Sequence, residues 1–280
     1  DWLGAGLSTI TLIIFLLAMT GGHHFGWMSI PIGIALLGVI GFATFFVWWE
    51  LRCEVPMFDV RQFKNRLFSL GVFASFLSFV GMSAVRFLMP FYLQAVMGYS
   101  PVQVGLILVP NALSMVVVGP LSGRLSDRYG WRLFNVTGLL ISASALLLLS
   151  RITVSSPLSL VMSGMILQSI GLGIFNAPNN SSILSTVHTS KFGVVSGFLN
   201  LVRNSGNVTS IALATAIVTE IMASMGFPPS LSAVDEGASV DLFHSFISGL
   251  RIAYLSMSFI VFVGVIVSSI KGEGSNNGVH

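Results

Sequence analysis

The sequence carries little charge and almost no cysteine. Of its 280 residues only 8% are Asp, Glu, Lys or Arg, whereas a soluble domain carries about 25%. That deficit leaves too few polar side chains to cover a water-facing surface. It excludes a soluble enzyme, a nucleic-acid-binding domain and a secreted disulfide scaffold. The lone cysteine, Cys53, excludes an internal disulfide and any multi-cysteine metal site. A net charge of +3 is too small to draw a polyanionic partner. The first apolar run is not expected to be a cleavable signal. Residue 1 is Asp rather than Met, and it runs straight into WLGAGLSTITLIIFLLAM with no basic stretch or cleavage site before it. Such a beginning reads as a fragment cut from within a longer polytopic protein.

What the sequence has in excess is apolar length. Hydrophobic residues make up 54% of the chain, and the mean hydropathy is +0.90. A membrane crossing takes ~20 apolar residues for ~30 Å of hydrocarbon. Charge-poor runs of that length fall at about 3–20 (span A), 29–49 (B), 67–93 (C), 102–122 (D), 132–150 (E), 157–178 (F), 192–222 (G) and 249–270 (H). They are apolar all round, with none of the ~10-residue alternating segments of a membrane β-barrel. The expected fold class is therefore an all-α membrane protein with eight transmembrane helices. Punctuation supports the divisions. Ser100-Pro101-Val102-Gln103 forms a capping box with proline at the first helical position of span D. Ser156-Pro157 is expected to open span F in the same way, and Met225-Gly226-Phe227-Pro228-Pro229 to close span G.

Basic residues are distributed unevenly over the connections. Arg52, Arg61, Lys64, Arg66, Arg124, Arg128, Arg132, Lys191 and Lys271 fall on one side of the eight-span arrangement. Only Arg151 and Arg251 fall on the other, and Arg86 and Arg203 lie within spans. The positive-inside rule then predicts that both chain ends are cytoplasmic, in a cell membrane crossed many times.

One short cytoplasmic connection has a distinctive composition: Gly123-Arg124-Leu125-Ser126-Asp127-Arg128-Tyr129-Gly130-Trp131-Arg132. Glycines at each end suit a tight reversal between antiparallel spans. Asp127 is expected to cap the free amides at the start of span E, where the helix dipole is positive. Any short inner loop is basic and glycine-rich, but an acidic residue framed by two glycines is not explained that way. The segment resembles the G-x-L-[AS]-D-R-x-G-x-[RK] loop of the major facilitator superfamily. Pro90 to Pro101 (PFYLQAVMGYSP), followed by Gly105 and Leu106, resembles a junction of its fourteen-span drug:proton antiporter family. Gly171-Leu172-Gly173 through Pro178-Asn179-Asn180, with Gly193, Ser196, Gly197, Asn200 and Gly206 beyond, resembles that family's last cytoplasmic loop and penultimate helix, and residues 1–6, DWLGAG, resemble its entry into the central pair of extra helices.

The resemblance implies that residues 1–50 are two inserted central helices and 51–66 a cytoplasmic connection. Residues 67–272 would be the C-terminal six-helix bundle of a major facilitator fold, and 273–280 a cytoplasmic tail. It implies a gating role for the loop residues Gly123, Asp127, Arg128, Gly130 and Arg132. It further implies a transporter rather than an enzyme, with proton-coupled efflux of hydrophobic or cationic drugs by alternating access. The partners would be a small-molecule substrate, protons, the lipid bilayer and a missing N-terminal six-helix bundle. Another exported solute, such as a siderophore or metabolite, is the alternative. A polytopic membrane enzyme or scaffold would need a His/Asp/Glu cluster in or near the membrane, and the sequence has none. No cofactor or metal is expected. His23-His24, expected in the outer A–B connection, has no acid or thiol nearby to complete a metal site.

Ionisable groups inside the hydrocarbon mark functional positions. Arg203 lies about eleven residues into span G, hence ~17 Å from its inner end. Asn200, Arg203, Asn204 and Asn207 recur at helical spacing and predict one polar stripe, facing protein or water rather than lipid. The competing reading is helix-to-helix hydrogen bonding, with Gly193-x-x-x-Gly197 as a close-packing face. Arg86 in span C either snorkels to the outer headgroups or, as the resemblance implies, lines the route with Gln94, Gln168 and Asn176. Phe87, Phe91, Met165 and Phe175 would then be apolar contacts. Glu220 lies near the outer end of span G, and no Asp or Glu sits at mid-depth in any span.

Overall fold

The computed structural model describes residues 2–25, 29–53, 58–234 and 239–270. Among these residues are eight α-helices and no strand: α1 (Trp2–Phe25), α2 (Ile30–Glu50), α3 (Arg66–Phe91), α4 (Pro101–Tyr129), α5 (Trp131–Leu149), α6 (Leu158–Leu184), α7 (Phe192–Ser224) and α8 (Val240–Ile270). All eight are long and apolar enough to cross a membrane. In hydrocarbon each backbone amide must find its partner within its own segment, which leaves the helix as the form these runs take. The chain is a multi-pass membrane protein.

The helices α3 to α8 form one bundle. Helix α3 lies at its centre, touching α6, α7 and α8, while α5 packs on α6 and α8, and α4 leans on α6. Its core holds fully buried Leu88, Tyr92, Leu146, Phe175, Phe246 and Tyr254. Helices α1 and α2 pair with each other and reach the bundle chiefly through α1 against α7. The connections before α3, between α4 and α5, and between α6 and α7 share one end of the bundle, called here the basic end. Helix contacts are made close by small residues. A Cβ built on Gly206 of α7 would come 3.1 Å from the Phe76 carbonyl oxygen of α3, and one on Gly249 of α8 would lie 2.9 Å from Val218 Cα.

Several helices run further than their apolar runs. Helix α4 continues to Tyr129, so most of the glycine-framed segment is helix and the connection to α5 is Gly130 alone. Gly130 has φ 85°, the left-handed conformation that the reversal requires. Gly123 does not turn the chain; a Cβ there would meet Ala177 Cβ of α6 at 3.6 Å. Helix α1 likewise carries His23 and His24 on its last turn rather than in a loop, their side chains lying outside the described ones. Helix α6 runs on to Leu184, and α8 begins nine residues before the expected position.

Capping follows the sequence at some ends and not at others. The Ser100–Gln103 capping box forms as expected, and α7 closes at Gly226 (φ 84°), with the Phe227 amide donating to the Met222 carbonyl at 3.0 Å. Pro157, not Ser156, precedes α6, and the Ser156 hydroxyl instead accepts from the Thr153 amide at 2.9 Å. Proline 90 removes a backbone donor near the end of α3, and the helix widens into a π turn over Tyr92–Val96.

Candidate functional site

Helix α7 carries the expected stripe. Asn200 and Asn204 are exposed, and Arg203 and Asn207 are half-buried. The stripe is organised against α3. The Arg203 guanidinium donates to Asn200 Oδ1 and lies 5.7 Å from the centre of the Phe79 ring. One turn on, Ser83 donates to Asn207 Oδ1 at 2.5 Å. No carboxylate lies within ion-pair distance of Arg203 among the described residues. Its charge is thus held at mid-helix by an amide oxygen and an aromatic face, which leaves it available to a third group.

Arg86 follows Ser83 by three residues on α3 and so projects one turn further from the basic end, on a neighbouring strip of the same surface. It is exposed, and its guanidinium approaches Met82 Sδ at 3.7 Å. Phe87 and Phe91 beside it are half-buried and stack edge to face at 5.5 Å. Gln94, in the π turn, donates to the Pro90 carbonyl at 3.2 Å and is half-buried.

The α6 residues separate into two groups. Asn176 is half-buried and accepts from Asn180 Nδ2 at 3.3 Å. Gln168 is 2% exposed. It accepts from Ser142 of α5 at 2.9 Å, while its Nε2 is buried without a partner. The structure therefore places Gln168 between two helices rather than on the open surface, and Met165 and Phe175 are core residues. Gly193 and Gly197 are exposed with nothing within 4 Å of a built Cβ. They are not a close-packing face; Gly206 makes the close approach on α7.

Three interhelical amides, two of them fully buried, were given no site role by the sequence reading. Asn179 of α6 donates to the Gly71 carbonyl at 3.0 Å and to Ser75 Oγ at 2.8 Å, both on α3. Asn135 of α5 donates to Asn179 Oδ1 at 3.5 Å. Asn111 of α4 accepts from Ser169 of α6. A polar residue amid an apolar run was the available signal, but Asn179 fell beyond the expected end of span F.

At the basic end a cavity of about 1120 Å³ opens between the start of α3, the α4–α5 junction and the end of α6. Asn65, Asp127, Arg128, Arg132 and Ser182 are among its walls. Asn65 caps α3, accepting from Leu67 N at 2.9 Å. Arg132 donates to the Ser269 carbonyl of α8 at 2.5 Å, and Arg128 lies over the Tyr129 ring at 5.5 Å. Asp127 does not cap α5 as expected. It is held in the last turns of α4, and Gly130 occupies the capping position with no side chain to offer.

Comparison with known proteins follows this geometry. Residues 2–211 match the family model described as Major Facilitator Superfamily. Over 252 residues the chain is 31% identical to the uncharacterized transporter YebQ of Escherichia coli K12, covering 90% of this chain and 54% of that protein. It is 27% identical over 271 residues to the lincomycin resistance protein LmrB of Listeria innocua, covering 96% and 56%. The riboflavin transporter RibZ of Clostridioides difficile is 33% identical over 174 residues, or 62% of this chain and 37% of that protein. The chain spans about half the length of the curated relatives it matches.

Proposed function

Because the chain belongs to the major facilitator superfamily, a superfamily of transporters rather than enzymes, we propose that α3–α8 is one of the two bundles of an alternating-access exporter. In this reading α1 and α2 are the inserted central pair, and an N-terminal six-helix bundle covers the face bearing the α7 stripe. The basic end is cytoplasmic by the positive-inside rule, and the membrane is the cell membrane. Alternating access places the substrate at mid-depth where the two bundles meet. The substrate class is hydrophobic or cationic drugs, exchanged for protons; the likeness to a lincomycin resistance protein supports it.

The observation that carries this reading is Arg203, an unneutralised charge at mid-helix on an open polar face. An ionisable group at that depth faces a water-filled cavity or a partner rather than lipid. The proposed route is Arg203 with Asn200, Asn204 and Asn207, flanked by Arg86, Gln94 and Asn176. Gln168 supports the route from behind by holding α6 against α5. Gating is assigned to Asp127, Arg128, Gly130 and Arg132 around the basic-end cavity, and to Gly123 where α4 meets α6.

A second solute class is favoured by one observation, the likeness to a riboflavin transporter. Efflux assays on cells producing the full-length protein, against a panel of drugs and riboflavin, separate the two. Loss of all efflux in Arg203→Ala, with membrane levels unchanged, is the expected result. Wild-type efflux in Arg203→Ala and Arg86→Ala together refutes the assignment of the route.

A further inference from the structure

We propose that the crevice between the α1–α2 pair and the α3–α7 face binds one anionic phospholipid from the leaflet at the basic end. Its acyl chain lies in the crevice, and its phosphate is held by the α2–α3 connection.

The crevice is apolar, and its cavities adjoin one another. Three cavities of about 530, 450 and 330 Å³ share Leu201 of α7 as a common wall. The first and third also share Phe76 and Ser205, and the second and third share Phe198. The space begins at Phe58 and Phe63, beside the basic end, and reaches Thr209 of α7. Thr209 is seventeen residues into its helix, a rise of ~25 Å. One leaflet accounts for about half of the ~30 Å hydrocarbon thickness, so an acyl chain fits within this length. Small residues keep the space open: a Cβ on Gly197 meets nothing within 4 Å.

Among the described residues, charge gathers at one mouth of this slot. Phe63, which lines it, stands between Arg61 and Lys64, and Arg66 opens α3 three residues before Ser69, another wall residue. All three cations are exposed, as is Arg52, whose guanidinium lies 4.3 Å over the Trp48 ring at the end of α2. The nearby carboxylates are otherwise engaged. Asp59 pairs with Lys191 at 3.4 Å, and Glu50 is 3% exposed, facing the Phe58 amide at 3.4 Å. Glu54 lies outside the described residues. No carboxylate is within ion-pair distance of Arg52, Arg61, Lys64 or Arg66 among the described residues.

An apolar slot capped at one end by unneutralised guanidinium and ammonium groups suits an amphiphile with an anionic head. A neutral lipid leaves the cations unused, and a soluble anion leaves the slot unused. Guanidinium groups match phosphate oxygens in pairs, and basic side chains beside a membrane surface draw anionic lipids.

The test is native mass spectrometry of the full-length protein in mild detergent, incubated with equal amounts of phosphatidylglycerol and phosphatidylcholine. The unaltered protein is expected to retain one phosphatidylglycerol, preferred about tenfold. The triple variant Arg61→Gln, Lys64→Gln, Arg66→Gln loses the preference and holds the two lipids equally. Gly197→Leu with Ser205→Leu fills the slot and loses both lipids, and its thermal unfolding midpoint shows that it remains folded. Should the slot-filling pair unfold, Gly197→Leu alone provides the same reading. Equal retention of both lipids by the unaltered protein overturns the proposal, as does undiminished phosphatidylglycerol in both variants. Displacement of the lipid by inorganic phosphate also overturns it, marking a soluble-anion site instead.

Discussion

Gly138 of α5 and Gly171 of α6 meet backbone to backbone. A Cβ on either would stand 2.7 Å from the carbonyl oxygen of the other. Ser142, one turn beyond Gly138, donates to Gln168 at 2.9 Å, so a glycine contact and a side-chain hydrogen bond fasten the same pair of helices. Helix association in a membrane depends on such close packing, because lipid tails are as apolar as the side chains they would displace.

Gly171→Leu is expected to destabilise the bundle by at least the ~1–3 kcal/mol typical of overpacking. The atoms it would strike, the Gly138 carbonyl and the Ser142 amide, are backbone and cannot swing aside. Thermal unfolding in detergent checks this. Gly193→Leu is the contrasting variant, since its Cβ meets nothing within 4 Å, and it should unfold with the unaltered protein.

Asn179 is the second fastening. It ties α6 to α3 through Gly71 and Ser75 and receives Asn135 of α5, so one amide joins three helices. Interhelical hydrogen bonds in membranes average ~0.6 kcal/mol, with a maximum near 1.7. Asn179→Leu, which breaks several and leaves a carbonyl at Gly71 without its side-chain donor, is expected to cost about 1–2 kcal/mol. Combining it with Ser75→Ala should cost less than the two single changes added together.

These fastenings explain what was legible in the sequence and what was not. Apolar runs located eight helices because hydropathy reports the membrane directly. The same signal is silent on helix ends: α4 continues through Gly123, Ser126 and Asp127 and stops only at Gly130, where φ reaches 85°. The α7 stripe was legible because four polar residues at helical spacing define a face. A single amide defines none, so Gln168 read as a route residue although its helix turns it toward α5. Glycine spacing misled for the same reason. The interval from Gly193 to Gly197 suggested a contact, whereas Gly138 and Gly171 lie on different helices, and nothing within either helix announces its partner.

At the basic end, stability should come from rings rather than charges. Phe58 of the α2–α3 connection stacks on Phe198 of α7 at 4.4 Å, and Phe63 meets Phe198 edge to face at 5.8 Å. The adjacent Asp59–Lys191 pair is partly exposed, with side chains 26% and 48% accessible. Phe198→Ala is expected to cost roughly 2 kcal/mol, below the ~3–5 of a fully buried phenylalanine. Asp59→Asn should stay within about 1 kcal/mol. Unfolding of both variants in detergent at two salt concentrations tests the ranking, and only the Asp59 effect should shrink with salt.

Glu220 is exposed near the end of α7 farthest from the basic end, where water reaches a carboxylate without a transport cycle. On the proposed exchange of solute for protons, Glu220→Gln is expected to leave the pH-gradient dependence of efflux by the full-length protein unchanged. Complete loss of that dependence would place a coupling group in this bundle.

The open face of α7 can be separated from the closed interior of α6 by single thiols in a Cys53→Ser background. Asn204 is exposed and Gln168 is 2% exposed, although both are amides inside apolar spans. A membrane-impermeant maleimide needs a hydrated thiolate, because burial in apolar surroundings suppresses that form. Asn204→Cys should therefore label at least about tenfold faster than Gln168→Cys. Transported substrate should slow the first and leave the second unchanged, since the proposed route passes the exposed Asn204 and not the buried Gln168. Equal labelling of the two would mean that the stripe packs against protein throughout the cycle. In that case Asn200, Asn204 and Arg203 would fasten helices, as Gln168 does, and the solute would pass elsewhere.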